Sequence, residues 1–396
     1  MRFVRLVLIL LLVEGAAAPS PARADAFSTS AEFALLEDYD TGAVLYEKNA
    51  DKPMPPVSLA KLMTAEIVFS RLKAGKLNLG DMFDVSEKAW RQGGAPSRGA
   101  AMFLSVKSRV SVDDLLQGLL VQSGNDAAMT LAEGLAGSEE AFADLMNRRA
   151  AELGMTHSHF ANARGKADPG QFVTARDMGL LAAHVIRDYP DYFHYFSEKE
   201  FTWNKIRQLN RNPTLSMTDL GVDGLKAGDI GDGGYAVIAT AVQDGQRLIL
   251  VLNGLKSAND RLDETRKLLN YGFHSFERRQ LFDAGATVGW ASVYGGASGS
   301  APLVSDRPVV VFIPRGDTAR LNAKIVYAGP LPAPVAAGRE VGQLKVWRGD
   351  MLALEVPLKT GGAVALGGLT RRAFDATIEL AGDAVRRELK RHGLMQ

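Results

Sequence analysis

Residues 56–64 read PVSLAKLMT and place a serine and a lysine three positions apart, Ser58 and Lys61. Apolar side chains then recur at helical spacing as far as Gly75, so the stretch predicts an amphipathic helix that begins near Ser58. Residues at i and i+3 share a helix face, which brings the Lys61 amine within reach of the Ser58 hydroxyl. A serine hydroxyl is a weak nucleophile until a neighbouring base takes its proton, and Lys61 is the candidate base.

Two further motifs follow in chain order, Ser123-Gly-Asn125 and Lys226-Ala-Gly228. Burial beside another cation lowers the pKa of a lysine, so Lys226 is expected to keep Lys61 partly neutral. Lys226 is also placed to attract a substrate carboxylate. Ser123 is the candidate proton relay to the leaving amine, and Asn125 is the candidate amide that holds the substrate's peptide bond.

Each motif alone is a weak signal, because a lone S-x-x-K is usually a surface pair and S-G-N usually marks a turn. Their order favours function, since the first opens a helix and the third precedes antiparallel strands. The backbone N–H groups of Ser58 and Asp229 are the predicted oxyanion hole. A literal K-T-G at residues 359–361 lies far beyond this region and is expected to be a turn.

The rest of the chain divides by its periodicity. Strands are expected at residues 33–38 and 43–47, helices after Asn125 and Ser138, a hairpin at 235–242 and 247–254, and a helix at 260–271. A capping box at Ser111 opens another helix. From residue 281 the pattern becomes short strands with Gly and Pro turns, which indicates a small all-β module with strands at 309–313, 323–327, 340–347 and 351–357.

The motif set is typical of serine β-lactamases and penicillin-binding proteins. The whole chain resembles the low-molecular-weight penicillin-binding proteins, the D-alanyl-D-alanine carboxypeptidases. Besides the three motifs, the resemblance rests on DTG at 40–42, QSGND at 122–126, FAN at 160–162, TARD at 174–177 and NRN at 210–212. It implies an α/β fold of the α+β type, in which a β-lactamase/transpeptidase-like domain with an antiparallel sheet and a helical subdomain precedes a small β-sandwich domain.

The resemblance also implies an activity, the removal of the terminal D-alanine from peptidoglycan pentapeptides through an acyl-serine intermediate, with covalent trapping by β-lactam antibiotics. The catalytic residues would be Ser58, Lys61 and Ser123. The substrate-binding residues would be Asn125, Lys226, Ala227, Gly228 and Asp229. No cofactor or metal is expected, because the close pair His157 and His159 has no visible third ligand.

Two positions depart from the family's pattern. Ala227 stands where the family has a hydroxyl residue that helps to bind the substrate carboxylate, and losing such a hydrogen bond costs about 1–3 kcal/mol. Asp229 puts a carboxylate beside the predicted oxyanion site, where it opposes charge development unless it is neutralised or turned away. We therefore expect reduced or narrowed activity and a weaker response to substrates with a free carboxylate.

Two alternative functions stay open on the sequence. One is a non-catalytic penicillin- or murein-binding scaffold whose pocket was weakened by Ala227. The other is a β-lactamase, although the chain has no Glu-x-x-Leu-Asn segment to position a hydrolytic water, and the extra β domain is foreign to that group.

The two ends of the chain predict its cellular location. Residues 1–24 resemble a signal peptide, with Arg2 and Arg5 at the start, an apolar run at 6–13 and Ala-Arg-Ala at 22–24. The apolar run is far shorter than the roughly 20 residues of a membrane-spanning helix, so a retained anchor is the less favoured alternative. The expected organisation is a signal peptide at 1–24, a catalytic domain at 25–280, a β-sandwich domain at 281–366 and a helix at 367–396. We therefore expect a periplasmic protein.

The last segment carries one apolar stripe with basic residues around it. The stripe consists of Phe374, Ile378, Ala381, Val385 and Leu389. One interpretation is an interfacial helix that holds the protein peripherally on the inner membrane. The other is an ordinary helix that caps the β module or contacts a partner.

Composition excludes other classes of function. The 396 residues carry 46 basic and 45 acidic side chains, and this balance gives no footprint for nucleic acid. The chain has no cysteine, which excludes disulfides, thiolate zinc sites and cysteine nucleophiles.

Overall fold

A computed structural model describes residues 27–230 and 234–373, together with Thr377. The predicted signal peptide lies outside the described residues, as does the apolar stripe of the predicted C-terminal helix. In the described part of the chain, no helix combines the length and the apolar character needed to cross a membrane.

Eight helices of the described residues fall between Lys61 and His274, and residues 369–373 and 377 are also helical. The eight are α1 Lys61–Lys73, α2 Glu87–Gly93, α3 Val112–Leu120, α4 Asn125–Ala136, α5 Glu139–Glu152, α6 Ala175–Asp188, α7 His194–Ser197 and α8 Ala258–His274. Short 3-10 turns lie at Val57–Ala60, Ala95–Ser97, Pro190–Tyr192, Pro213–Ser216 and Thr218–Leu220.

The strands form two groups along the chain. Those before residue 256 are β1 Phe33–Asp38, β2 Val44–Lys48, β3 Met82–Asp84, β4 Arg109–Ser111, β5 Glu200–Trp203, β6 Ile206–Leu209, β7 Val222–Ile230, β8 Gly234–Gln243 and β9 Gln246–Leu255. Those after it are β10 Phe276–Phe282, β11 Thr287–Tyr294, β12 Ser300–Val304, β13 Val309–Pro314, β14 Leu321–Tyr327, β15 Leu331–Pro332, β16 Glu340–Arg348 and β17 Met351–Thr360.

Five strands of the first group build an antiparallel sheet in the order β2-β1-β9-β8-β7, with β7 at one edge, whereas β3 pairs with β4 and β5 with β6. Side chains alternate across a strand, so each strand serves two cores. Leu35 of β1 belongs to the core shared with α1 and α6, whereas Leu36 faces Leu268 and Leu269 of α8. The expected α+β domain with an antiparallel sheet is confirmed, and helices cover both faces of that sheet.

Side-chain caps fix where several helices begin. The Oγ atoms of Ser111, Ser138 and Ser257 each accept a hydrogen bond from the backbone N–H three residues later, and Thr174 does the same for α6. Such caps satisfy an otherwise unpaired donor of the first helical turn. The helix starts predicted at Ser111 and Ser138 are confirmed.

The second group of strands forms the β-rich module. It contains a six-stranded sheet in the order β14-β16-β17-β12-β11-β15 and the pair β10-β13. A core of small aliphatic side chains, with Ala301, Leu303, Val346 and Leu358 among its buried members, lies within it. The boundary predicted at residue 281 lies inside β10, whose pairing with β13 brings residues 276–280 into this module.

Candidate active site

The candidate nucleophile lies in a 3-10 turn rather than in the α-helix itself. Ser58 belongs to the turn Val57–Ala60, and α1 begins at Lys61, so the helix starts three residues later than the sequence suggested. The turn and the helix are continuous, and the Lys61 Nζ atom lies 3.2 Å from the Ser58 Oγ atom. Val57 has φ +45°, a left-handed conformation that a β-branched residue rarely adopts.

The Lys61 amine is fully buried and has two further oxygen partners. Its Nζ atom lies 2.8 Å from Asn125 Oδ1 and 2.7 Å from the backbone oxygen of Arg164. Burial first, and then the positive charges of Lys226 and Arg164, hold the pKa of Lys61 well below its usual range. A neutral amine donates its two N–H groups to the two acceptors and keeps its lone pair for the Ser58 hydroxyl.

The second and third motifs meet directly. Lys226, buried on β7, donates a hydrogen bond from Nζ to Ser123 Oγ at 2.9 Å, and Nζ also lies 3.1 Å from the Ala227 oxygen. Ser123 adopts φ +61°, the left-handed region in which strained residues cluster at functional sites. Burial lowers the pKa of Lys226 to about 7. The structure thus links Ser123 to Lys226 and Asn125 to Lys61.

Gly228 explains how the edge strand approaches the nucleophile. A Cβ atom at this position would lie 2.7 Å from Val57 Cγ2 and 3.3 Å from the Ser58 nitrogen. The first distance is shorter than real Cβ contacts allow, so β7 can pack this closely against the turn only without a side chain here. The glycine of the third motif is therefore a packing requirement.

Ala227 and Asp229, the two departures from the family's pattern, lie on the face of β7 opposite to Lys226 and Gly228, because side chains alternate along a strand. Ala227 is buried, and Asp229 carries its carboxylate at the cleft with a side chain 57% exposed. Asp229 Oδ1 pairs with Arg261 Nη1 of α8 at 2.6 Å. The charge of Asp229 that the sequence left unbalanced is therefore neutralised by an arginine. Arg261 was not predicted from the sequence, because nothing in the pattern of an amphipathic helix distinguishes a buried arginine from an exposed one.

A second buried arginine, Arg164, helps to position the Lys61 amine. Arg164 forms a two-point ion pair with Glu139, with Nε to Oε1 at 2.9 Å and Nη2 to Oε2 at 3.0 Å, and both side chains are almost fully buried. Its own backbone oxygen is the one that accepts from Lys61. The sequence offered no signal for this pair, whose members are separated by a helix and a loop.

The site opens into a cleft of about 610 Å³. Ser58 and Asn125 line it, whereas Lys61, Ser123 and Lys226 are buried behind its wall. Other lining residues are Arg91, Gln92, Lys166, Asp168 and Asp229. Ser58 thus faces the cleft, while the Lys61 and Lys226 amines are shielded from water.

The second K-T-G and the histidines lie outside this cleft. Lys359 and Thr360 end strand β17 rather than forming a turn; Lys359 pairs with Asp306, and Thr360 Oγ1 donates to the Ala336 oxygen. No group of three potential metal ligands occurs among residues 27–230 and 234–373. The sequence context favoured Lys226 over Lys359 as the lysine of the third motif, and the position of Lys359 outside the cleft agrees with that choice.

Comparison with known proteins follows the same division of the chain. The sequence profile described as D-alanyl-D-alanine carboxypeptidase matches residues 18–257, more than half of the chain. This chain belongs to the D-alanyl-D-alanine carboxypeptidase family. A second profile, the C-terminal domain of penicillin-binding protein 5, matches residues 276–365.

Individual members of the family are similar over most of their length. The carboxypeptidase DacC of Escherichia coli is 41% identical over 89% of this chain and 88% of its own. Penicillin-binding protein 5 of Haemophilus influenzae superposes with a TM-score of 0.76 at 34% identity, over 86% of this chain and 99% of its own. Penicillin-binding protein D2 of Listeria monocytogenes, solved with ampicillin bound, gives 0.54 at 32% identity over 63% and 99%. The low-molecular-weight penicillin-binding fold is therefore shown for this chain.

Proposed function

We propose that the chain is a serine-type D-alanyl-D-alanine carboxypeptidase that removes the terminal D-alanine from peptidoglycan pentapeptides. The observation that carries the proposal is the Lys61 amine, buried, depressed in pKa and 3.2 Å from the Ser58 hydroxyl. Curated relatives of the family bear the same activity in their names.

In the acylation step, Ser58 Oγ attacks the carbonyl carbon of the penultimate D-alanine while Lys61 Nζ takes the hydroxyl proton. The backbone N–H groups of Ser58 and Asp229 are the proposed oxyanion donors. As the C–N bond breaks, the proton that Lys61 took passes through the Ser123 hydroxyl to the leaving nitrogen, and Lys61 is neutral again. The hydrogen bond from Lys226 positions that hydroxyl. The products are free D-alanine and a Ser58 ester.

In the deacylation step, a water molecule attacks the ester carbonyl and gives its proton to Lys61. The C–O bond to Ser58 then breaks, the proton returns to the serine oxygen, and the shortened peptide leaves as a carboxylate. Both steps use the same amine, so the amine must return to its neutral form between them. No cofactor takes part in this sequence.

β-Lactam antibiotics are the second proposed class of ligand. A strained β-lactam amide presents a carbonyl to Ser58, and ring opening leaves no separate product to diffuse away from the ester. The relative from Listeria monocytogenes with bound ampicillin supports this proposal.

The decisive test compares wild type with Ser58→Ala, using Ser70→Ala on the same helix as a matched control. Fluorescent penicillin should label wild type and Ser70→Ala but not Ser58→Ala, and release of D-alanine from a pentapeptide should follow the same pattern. Labelling without release would indicate a penicillin-binding scaffold instead. Rapid turnover of the drug would indicate a β-lactamase, and neither labelling nor release would indicate a murein scaffold.

We further propose that the protein works in the periplasm, exported by residues 1–24 and peripheral on the inner membrane through residues 367–396. The basic start and short apolar run support export, and the apolar stripe beginning at Phe374 supports surface binding. Cell fractionation of the full chain and of a chain ending at residue 366 tests both. Loss of the membrane fraction only in the shorter chain is the expected result.

A further inference from the structure

The leaving-group end of the cleft carries an ion pair formed by the chain itself. Lys226 and Ser123 mark the side of the site from which the amine departs, and Asp229 lies three residues along the same strand, on the wall of the cleft. A leaving residue that places its nitrogen near Ser123 extends its terminal carboxyl group along β7, towards Asp229.

Arg261 lies behind this end of the cleft and pairs with the Asp229 carboxylate. Its side chain is almost fully buried, and Nη1 lies 3.3 Å from the Gly228 oxygen and 2.6 Å from Asp229 Oδ1. The guanidinium carbon lies 5.2 Å from the centre of the Tyr235 ring. Its Nε atom is buried with no hydrogen-bond partner among the described residues. A buried guanidinium is stabilised by a carboxylate, and Asp229 supplies one to Nη1.

The neighbouring position cannot donate a hydroxyl hydrogen bond to a carboxylate. Ala227 has no hydroxyl group, and its side chain is buried on the same face of β7 as Asp229. An incoming free carboxylate would therefore meet the exposed carboxylate of Asp229 and a guanidinium that is already paired. A neutral carboxamide is not repelled by Asp229 and requires no counter-ion.

We propose that Asp229 is a specificity-determining residue: by occupying Arg261, it makes the enzyme favour leaving residues whose terminal carboxyl is neutral, as a carboxamide, over those with a free carboxylate. The inference rests on the proposed function and narrows its substrate class. Bond changes are those of the proposed reaction, with D-alaninamide in place of D-alanine as the amine released.

A matched pair of substrates tests it, N-acyl-D-alanyl-D-alanine and its C-terminal carboxamide. The shortened acyl-D-alanine is common to both, so one mass-spectrometric assay gives kcat/KM for each. In Asp229→Asn the ratio of acid to amide should rise at least about tenfold over wild type, because loss of one charge removes repulsion only from the acid. Asp219→Asn breaks another aspartate–arginine pair of α8, with Arg266, away from the cleft, and should leave the ratio unchanged.

The possible outcomes separate the two proposals. Equal changes for both substrates in Asp229→Asn would overturn the inference and assign Asp229 only to supporting the charge on Lys226, whose pKa it raises. If Ser58→Ala still releases product, the proposed function fails instead. Saturating fluorescent penicillin measures the competent fraction of each preparation, and Asp229→Ser provides a second variant should the first fold poorly. An unchanged ratio in both variants also overturns the inference.

Discussion

The backbone oxygen of Arg164 lies 2.7 Å from Lys61 Nζ, while the side chain of the same arginine is held by Glu139 in a buried ion pair. Arg164 therefore couples the buried ion pair with Glu139 to the position of the Lys61 amine. The Ser58–Lys61 geometry depends on this contact as well as on the helix that carries both residues.

Glu139 and its neighbour Glu140 allow a direct test of burial. We expect Glu139→Ala to lower the free energy of unfolding by about 3–5 kcal/mol, because it leaves the buried Arg164 charge uncompensated. Glu140 pairs with Lys88 on the surface, and although this pairing lowers its pKa to about 2, Glu140→Ala should cost less than about 1 kcal/mol because solvent screens the pair. Denaturant unfolding of the two variants measures the difference, and similar losses would contradict it.

Lys61→Arg replaces an amine that can become neutral with a permanently charged guanidinium. Since a guanidinium keeps its proton throughout the pH range in which proteins work, the variant has no base beside Ser58. We expect the second-order rate constant for acylation by penicillin to fall about 10²–10⁴-fold, the usual contribution of a general base. Stopped-flow measurement with Lys73→Arg, exposed at the end of the same helix, provides the comparison. Acylation within about threefold of wild type would exclude Lys61 as the base.

The pH dependence of acylation should report on Lys226. Burial lowers its pKa from 10.5 to about 7, so the amine is charged below about 7 and neutral above it. Because the charged form attracts the carboxylate of penicillin, we expect the acylation rate constant to fall as pH rises through about 7. Lys226→Arg should remove that alkaline limb; its persistence would assign the limb to another group.

Unfolding does not account for a decline in the acylation rate constant above pH 7, because the titration of Lys226 makes the folded state more stable as the pH rises through this range. A lysine whose pKa is about 7 when folded and 10.5 when unfolded binds more protons in the unfolded state between these values. Its contribution to the free energy of unfolding therefore increases as pH rises from 7 to 10.5. Thermal melting across the same range is the control.

Gly228→Ala should separate β7 from the nucleophile. The added Cβ would lie 2.7 Å from Val57 Cγ2, and relieving that overlap moves either the strand or the turn that carries Ser58. We expect the acylation rate constant to fall at least about tenfold, and the free energy of unfolding to fall by about 1–3 kcal/mol, as for other overpacked sites. Gly80→Ala, where no atom lies within 4 Å of the added Cβ, should change neither.

The sequence predicted the parts of the site that are local or that lie in short motifs. Ser58 and Lys61 share a helical turn, and β1 was predicted with the bounds that it has. The start of α1 was three residues too early, because a 3-10 turn leaves no distinct mark on apolar spacing. The β10 strand was missed for a related reason, since much of it is charged and exposed.

What could not be predicted are contacts between side chains far apart in sequence. The Asp229–Arg261 and Glu139–Arg164 pairs join separate elements, and a single sequence holds no record of which charges meet. The sequence therefore indicated that Asp229 brings a charge to the site but not what balances it. The partner, Arg261, is brought to Asp229 by the packing of α8 on the sheet.

Val57 gives the turn that carries Ser58 a strained backbone conformation. A β-branched residue at φ +45° stores about 1–3 kcal/mol, and it persists only because surrounding packing enforces it. The backbone comes so close to Val57 at Gly165 and at Gly228 that an added Cβ would overlap its backbone oxygen at the first position and its side chain at the second. The strained turn that carries Ser58 is therefore confined on two sides, and the placement of the nucleophile depends on two glycines from segments far apart in the chain.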